Sequence, residues 1–174
     1  MHDAEQHSRT ALLVAALRAR GPSGDHWAGA LAGEEGRALA DRLLADHPDL
    51  TLWLAVRTRA IDARVRNFGG TQVVILGAGL DTRAARLSEP GRRFFEVDTP
   101  ASQAVKQARL AAAVSTSGAA YPLDAAVFVS CDFETENFME RLCAAGFEPD
   151  APALFVWEGV AYYLPEVAVR ATLD

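Results

Sequence analysis

The spacing of apolar positions divides the chain of 174 residues into two parts. Over residues 1–70 the apolar residues recur every three or four positions, which is the period of an amphipathic helix. From residue 71 onwards, short continuous apolar runs alternate with further helical segments. We therefore predict an N-terminal helical cap region over residues 1–70 and an α/β core over residues 71–174.

Three helices are predicted in the cap region. SRTALLVAALRARG forms the first, with Ser8 or Thr10 as its N-cap and Gly21 at its end. GEEGRALADRLLADHPD forms the second, which ends before Pro48 because a residue that precedes proline disfavours helical dihedrals. LTLWLAVRTRAIDARVRNFGG forms the third, closed by its two glycines. Its buried face is predicted to carry Leu52, Val56, Ala60 and Val65.

The core contains four runs with the composition of strands that are buried on both faces of a parallel sheet. These runs cover residues 73–76, 93–97, 125–129 and 153–157. Helices are predicted from Pro100 to Val114, with Thr99 as N-cap, and from Glu134 to Ala145. Strands that alternate with helices predict an α/β fold with a doubly wound parallel sheet.

Composition and charge restrict the function classes. The chain has 50% hydrophobic residues and a net charge of −6, which disfavours binding to nucleic acids or anionic membranes. No apolar run approaches the ~20 residues that span a bilayer, and the polar, acidic start does not resemble a signal peptide. Two cysteines without a paired motif and four histidines without ligand spacing predict neither a disulfide scaffold nor a metal site. We expect a cytoplasmic protein.

Glycines or acids follow each predicted strand where it ends. The residues are Gly77, Ala78, Gly79 and Asp81 after the first strand, Asp98 after the second, Asp132 after the third and Glu158 after the fourth. The carboxyl ends of parallel strands lie along one edge of the sheet, where ligands bind. A single acid in such a place is more often a helix cap, and Asp98 before Thr99 fits that role too. Four such strand ends together favour a ligand site.

The spacing of these residues favours an adenosine ligand. Glycines at positions 77 and 79 let the backbone turn sharply and approach a ligand without an intervening Cβ. Asp98 stands about 20 residues after Gly77, the position from which an acid accepts hydrogen bonds from both hydroxyls of a ribose. Asp132 is placed to accept from an adenine amino group, while Phe133 offers an apolar face beside the ring.

Positions 81 and 82 favour S-adenosylmethionine over a dinucleotide. The dinucleotide motif Gly-x-Gly-x-x-Gly has a third glycine where this chain has Thr82. A pyrophosphate favours free backbone N–H groups without a nearby acid, yet Asp81 lies two residues after Gly79. An acid there suits a positive group, such as the amino end of a methionine moiety.

Several motifs occur in the order RTRAID, QVVILGAGLDTRAARL, FFEVDTP followed by Lys106, CDF and WEGVAYYL. Together they resemble the bacterial relatives of the leucine carboxyl methyltransferases, which are class I S-adenosylmethionine-dependent methyltransferases. TALLVAALRA and DHWAGALAGEEG also resemble the cap region of that family. The resemblance covers nearly the whole chain and implies a Rossmann-like fold with S-adenosyl-L-methionine as cofactor.

The strand ends and the resemblance together assign nine residues to the cofactor: Arg57, Gly77, Ala78, Gly79, Asp81, Asp98, Asp132, Phe133 and Glu158. Arg57 matches the arginine that binds the cofactor's carboxylate, with Arg59 as the second choice; both otherwise belong to a solvated helix face. Phe133 stands where the family most often has leucine. Glu158 matches the acid near the methionine end and the substrate cleft. Glu158 and Tyr162 are the candidates for catalysis, although aromatic residues there more often serve packing.

The family fold continues well beyond WEGVAYYL, with a segment that covers the substrate and the last strands of a seven-stranded sheet. This chain stops at Asp174, so we expect four strands in the order 3-2-1-4, with residues 153–157 as an apolar edge. Such an edge invites pairing with another chain. We therefore expect either a truncated enzyme or one whose edge a partner chain covers, with homo-oligomers formed through the edge and weak methyl transfer.

These observations favour an O-methyltransferase that acts on a carboxylate or hydroxyl of a small molecule. One alternative is a non-catalytic module that binds S-adenosylmethionine or a partner. A second alternative is a nicotinamide-dependent Rossmann enzyme, which Asp81 and Thr82 disfavour.

Overall fold

Parallel strands form one four-stranded sheet in the computed structural model, and helices pack on both of its faces. The structure describes the backbone of residues 2–117 and 123–173, and the side chains of residues 9–114 and 124–173. None of the helices within these ranges is both long enough and apolar enough to cross a bilayer.

The elements alternate along the chain after three initial helices. The helices are α1 (His2–Arg20), α2 (Ala28–Asp46), α3 (Leu50–Arg66), α4 (Arg83–Leu87), α5 (Pro100–Ser117), α6 (Phe138–Ala144) and α7 (Glu166–Leu173). The strands are β1 (Gln72–Leu76), β2 (Arg93–Asp98), β3 (Ala126–Ser130) and β4 (Ala153–Trp157). Single 3-10 turns precede β3, at Leu123–Ala125, and follow β4, at Ala161–Tyr163.

The strand order β3-β2-β1-β4 confirms the predicted order. Every pairing is parallel, and Val73 of β1 lies opposite Phe94 of β2 and Leu154 of β4. β1 is buried along its whole length because its side chains alternate between two apolar clusters. Val73 packs in the cluster that includes α3 and α4, whereas Val74 packs in the cluster that includes α6.

The N-terminal helices are attached to the edge of the sheet where the strands end. An apolar cluster joins α1, α2 and α3 to Leu80, in the loop after β1, and to Leu110 of α5. The loop after β1 is therefore covered by α1, and the covering depends on buried apolar contacts.

Two predicted helix starts lie too late in the sequence. α1 begins well before Ser8 and Thr10, so the N-cap prediction for these residues was wrong; the polar residues of its first turns carry no apolar period. α2 begins before Gly33, because the carboxylate of Asp25 accepts from the backbone N–H of Ala28 at 3.1 Å. Gly33, with φ of 62°, instead marks a kink within α2.

Two further differences concern helices of the core. α6 begins at Phe138 rather than Glu134, because the side chain of Asn137 accepts from the backbone N–H groups of Met139 and Glu140 and caps the helix. α4, between β1 and β2, was not predicted, because its five residues are too few to show an apolar period.

The predicted buried face of α3 was wrong. Leu52, Val56 and Ala60 are exposed, and only Val65 of the predicted set is buried. The helix instead buries Leu54, Ala55, Thr58, Asp62 and Val65. Asp62 faces α4, where Arg83 and Arg86 pair with it, and a buried carboxylate is tolerated only when it is paired.

Strand β4 has one neighbour, β1, within the described part of the chain. Its Phe155 is 41% exposed although it contacts the rings of Phe138 and Phe147. An open edge of this composition leaves backbone N–H and C=O groups unpaired.

We expect the 174-residue chain to self-associate through β4, because a second copy can pair with the open edge. Light scattering over a range of protein concentrations measures the mass. Phe155→Lys, which places a charge on the edge, should shift the mass towards the monomer, whereas Leu52→Lys, on an exposed turn of α3, should not. A parent chain that stays monomeric would contradict the prediction.

Candidate functional site

A cavity of about 350 Å³ lies at the carboxyl ends of the strands, with α1 on its opposite side. It is lined by all nine residues that the sequence assigned to a cofactor: Arg57, Gly77, Ala78, Gly79, Asp81, Asp98, Asp132, Phe133 and Glu158. Arg59 and Tyr162 are not among its lining residues, and Tyr162 is 91% exposed. Its neighbour Tyr163 lines the cavity instead.

The loop after β1 makes a sharp turn at two glycines. The φ angles of Gly77 and Gly79 are 63° and 47°, in the left-handed region that favours glycine. A Cβ on Gly77 would lie 2.2 Å from the side chain of Val160, which leaves no room for it. A Cβ on Gly79 would face Ala11 of α1, 3.6 Å away. The backbone at these glycines therefore lines the cavity on the side opposite α1.

Asp98 ties the end of β2 to the glycine loop. Its Oδ2 accepts from the backbone N–H of Gly79 at 2.6 Å, and its Oδ1 accepts from that of Thr99 at 2.7 Å. The cap of α5 is Thr99, whose hydroxyl accepts from the backbone N–H of Ser102 at 3.3 Å. Asp98 is therefore not needed as a helix cap. An ionised carboxylate has about four acceptor sites, and the two backbone N–H groups occupy two of them, so about two remain for a ligand.

The end of β3 supplies the neighbouring wall. The backbone N–H of Cys131 donates to the carbonyl of Asp98 at 3.0 Å, which holds the ends of β2 and β3 together. Asp132 is exposed and accepts from the backbone N–H of Glu134 at 3.0 Å. Phe133, half-buried, lies 6.3 Å from the ring of Phe138. A carboxylate and an aromatic ring therefore stand side by side on this wall.

A network of ion pairs runs behind the cavity. Among the described side chains it contains four arginines and four carboxylates: Arg18, Arg57, Arg83 and Arg86 with Asp25, Asp62, Asp81 and Glu158. It joins α1, α3, α4 and the loop after β4. The network is balanced in charge, as burial requires.

Arg83 is the most connected member of this network and is fully buried. Its Nε lies 2.9 Å from Oδ1 of Asp62, and its Nη1 lies 2.8 Å from Oε2 of Glu158. Nη1 also pairs with Asp81. One guanidinium therefore connects the cap region, the glycine loop and the loop after β4.

Arg57 occupies the end of the network that faces the cavity. Its Nε lies 2.7 Å from Oε1 of Glu158, and its guanidinium stacks 4.6 Å from the centre of the Trp53 ring. The Arg57 side chain is 28% exposed, so it is not on a solvated helix face. Glu158 is thus shared between Arg57 and Arg83, through different oxygens.

Asp81 is ionised at all ordinary pH values. Burial alone would raise the pKa of this carboxyl, but the charges of Arg83, Arg18 and Lys106 outweigh burial and lower it to about 2. A carboxyl whose pKa is lowered on folding stabilises the fold above its unfolded pKa of about 4, and this contribution is lost as the pH falls towards 2.

Asp81→Asn is therefore expected to lower the free energy of unfolding by about 2 kcal/mol above pH 4. The difference between parent and variant should shrink as the pH falls from 4 to 2, because the parent then loses the same charge. Urea unfolding at a series of pH values measures both proteins. A difference that stays constant down to pH 2 would show that Asp81 does not titrate in this range.

Sequence reasoning missed the contribution of α1 and the inner part of the network. Thr10, Ala11, Val14 and Arg18 all line the cavity, and none was predicted. An arginine within the apolar segment of the first helix was the available signal for Arg18, which is buried and donates to the carbonyl of Leu80 at 2.7 Å.

The family model of leucine carboxyl methyltransferase matches residues 11–174. A protein of Parafrankia sp. is 41% identical over 130 residues, which are 72% of this chain and 40% of that protein. A protein of Streptomyces coelicolor is 38% identical over 69% of this chain and 42% of its own length. One of Frankia alni is 35% identical over 72% of this chain and 43% of its own length. All three are named as S-adenosyl-L-methionine-dependent methyltransferases, and the chain spans about two fifths of their length.

Proposed function

The chain belongs to the leucine carboxyl methyltransferase family, and on this basis we propose that it binds S-adenosyl-L-methionine in the cavity at the strand ends. Residues 71–174 are then the cofactor-binding core and residues 1–70 the cap that covers it. The activity we propose is O-methyl transfer to a small molecule.

The pairing of Arg57 with Glu158 at the cavity wall is the observation that carries this proposal. An arginine and a carboxylate side by side complement the carboxylate and ammonium of an amino-acid group. Both Glu158 oxygens are buried and pair with arginine nitrogens, but neither ion pair has the geometry of a hydrogen bond within the described part of the chain. The residues present therefore fit the methionine end of S-adenosylmethionine.

The charges of the lining favour this ligand over a nicotinamide dinucleotide. Five carboxylates line the cavity: Asp81, Asp98, Asp132, Glu134 and Glu158. Only two arginines, Arg18 and Arg57, accompany them among the described lining residues. Such a surface attracts a cationic ligand such as a sulfonium and repels the two negative charges of a pyrophosphate.

Each wall of the cavity has a role in this proposal. Asp98 accepts from the ribose hydroxyls with its remaining acceptor sites, while Asp132 and Phe133 flank the adenine. Arg57 pairs with the carboxylate of the amino-acid group and Glu158 with its ammonium.

The bound cofactor supplies an electrophilic methyl group on a positively charged sulfur. The chain itself contributes by orienting the acceptor and excluding water. A carboxylate acceptor is ionised at neutral pH and needs no general base, whereas a hydroxyl needs one.

Titration calorimetry with S-adenosylmethionine, S-adenosylhomocysteine and NAD tests the cofactor. We expect the first two to bind and NAD not to bind. Binding of NAD alone would overturn the proposal in favour of a nicotinamide enzyme. Transfer of a tritiated methyl group to small carboxylic acids, against matched alcohols, then distinguishes an O-methyltransferase from a module that only binds the cofactor.

A further inference from the structure

Glu158 has two arginine partners, which differ in their burial and in their access to the cavity. Arg57 reaches Oε1 from the cavity side and is partly exposed. Arg83 reaches Oε2 from behind, is fully buried and is not among the lining residues of the cavity. Only Arg57 is therefore placed to leave Glu158 and pair with a ligand. Arg83 is placed to remain paired with Glu158.

We propose that Arg83 is a positioning residue that holds Glu158 in place when Arg57 turns from Glu158 to the carboxylate of the ligand. This inference rests on the proposed binding of an amino-acid group at that end of the cavity. Oε1, released by Arg57, then accepts from the ammonium of the ligand.

Electrostatics explain why a second arginine is needed. The Glu158 side chain is only 12% exposed, and a buried carboxylate that loses its single counter-ion is strongly destabilised. Arg83 retains the charge balance at Oε2 throughout the exchange. The network stays neutral because an amino-acid group brings one positive and one negative charge.

The rear contacts of Arg83 fix its position. Asp62 binds its Nε at 2.9 Å, and Arg86 in turn binds the other oxygen of Asp62 at 2.5 Å. Three carboxylates therefore hold the guanidinium, with Asp62 at Nε and both Asp81 and Glu158 at Nη1. A lysine there keeps the charge but cannot bridge three carboxylates with the same planar geometry.

The test compares two ligands that differ only at the amino-acid end. S-adenosylhomocysteine carries the ammonium and carboxylate, whereas 5′-methylthioadenosine has the same adenosine thioether without them. We expect Arg83→Met to weaken binding of S-adenosylhomocysteine about ten- to a hundredfold and binding of 5′-methylthioadenosine less than about twofold. Arg83→Lys should restore part of the loss.

Arg86→Met is the matched control, since Arg86 lies in the same helix and the same network without contacting Glu158. It should change the ratio of the two affinities much less than Arg83→Met does, because Asp81 and Glu158 still hold Arg83 when Asp62 loses Arg86. In a Glu158→Gln background, Arg83→Lys should cause no further loss specific to S-adenosylhomocysteine, because the residue through which it acts is already altered. If circular dichroism shows that Arg83→Met is unfolded, this comparison tests the inference in its place.

Three results would overturn the inference alone: an equal loss of both ligands in the Arg83 variants, an identical selective loss in Arg86→Met, or full additivity with Glu158→Gln. A parent chain that binds neither ligand would overturn the proposed function, and this inference with it.

Discussion

Gly79→Val is expected to abolish binding of S-adenosylhomocysteine while the protein stays folded. A Cβ at this position points towards Ala11 of α1, 3.6 Å away, and both residues line the cavity. The methyl groups of valine therefore occupy the space between the glycine loop and α1, where the ligand has to lie. Titration calorimetry measures the binding, and circular dichroism shows whether the α/β fold is kept.

Gly91→Val is the control for backbone strain. The φ of Gly91 is 85°, so valine there is strained by about 1–3 kcal/mol as at Gly79. A Cβ on Gly91 meets no atom within 4 Å, and the residue lies outside the cavity lining. Gly91→Val should therefore bind the ligand as the parent does. If Gly79→Val also binds normally, the glycine pair serves only to form a turn.

The second large effect is expected for Asp98→Ala, which should lower the affinity for S-adenosylhomocysteine by about 2–3 kcal/mol. The variant lacks the carboxylate that we propose to accept from both ribose hydroxyls. It also loses the bond from the backbone N–H of Gly79, so the glycine loop is no longer tied to β2. Because the ribose is common to both ligands, 5′-methylthioadenosine should lose the same free energy.

Two variants accompany this measurement. Asp98→Asn keeps the shape and one acceptor oxygen but not the charge, so its affinity should fall between those of the parent and Asp98→Ala. Asp150→Ala removes an exposed acid outside the cavity lining and should have no effect. Parental affinity in Asp98→Ala would show that the end of β2 does not bind the ribose.

The sheet was predictable because each strand contains a short apolar run. β1 is buried throughout, and continuous apolar runs of this kind identify buried parallel strands. α3 was predicted less well, because its buried face includes Thr58 and Asp62. Apolar periodicity predicts that such polar residues are exposed. The ion pairs with Arg83 and Arg86 that allow Asp62 to be buried are not visible in the local sequence.

In the candidate site, too, some residues could be predicted from the sequence and others could not. The strand-end residues, such as Asp98 and Glu158, were found because topology alone brings the ends of parallel strands together. Thr10 and Ala11 were missed because no local pattern tells which helix covers that edge. The sharing of Glu158 by Arg57 and Arg83 was also invisible, because these residues come from distant parts of the chain.

We expect the cavity wall that contains the arginine–carboxylate network to form late in folding. Its members come from α1, α3, α4 and the loop after β4, so the charges balance only when the first and last of these segments have met. Contacts between distant segments form slowly, because the entropy of closing the loop is lost before they are gained. Until Glu158 arrives, Arg57 lacks its carboxylate partner, and a charge without a partner resists burial. During synthesis, therefore, we expect the wall beside Asp98 and Asp132 to form first, and the wall beside Arg57 and Glu158 to follow once β4 has paired with β1.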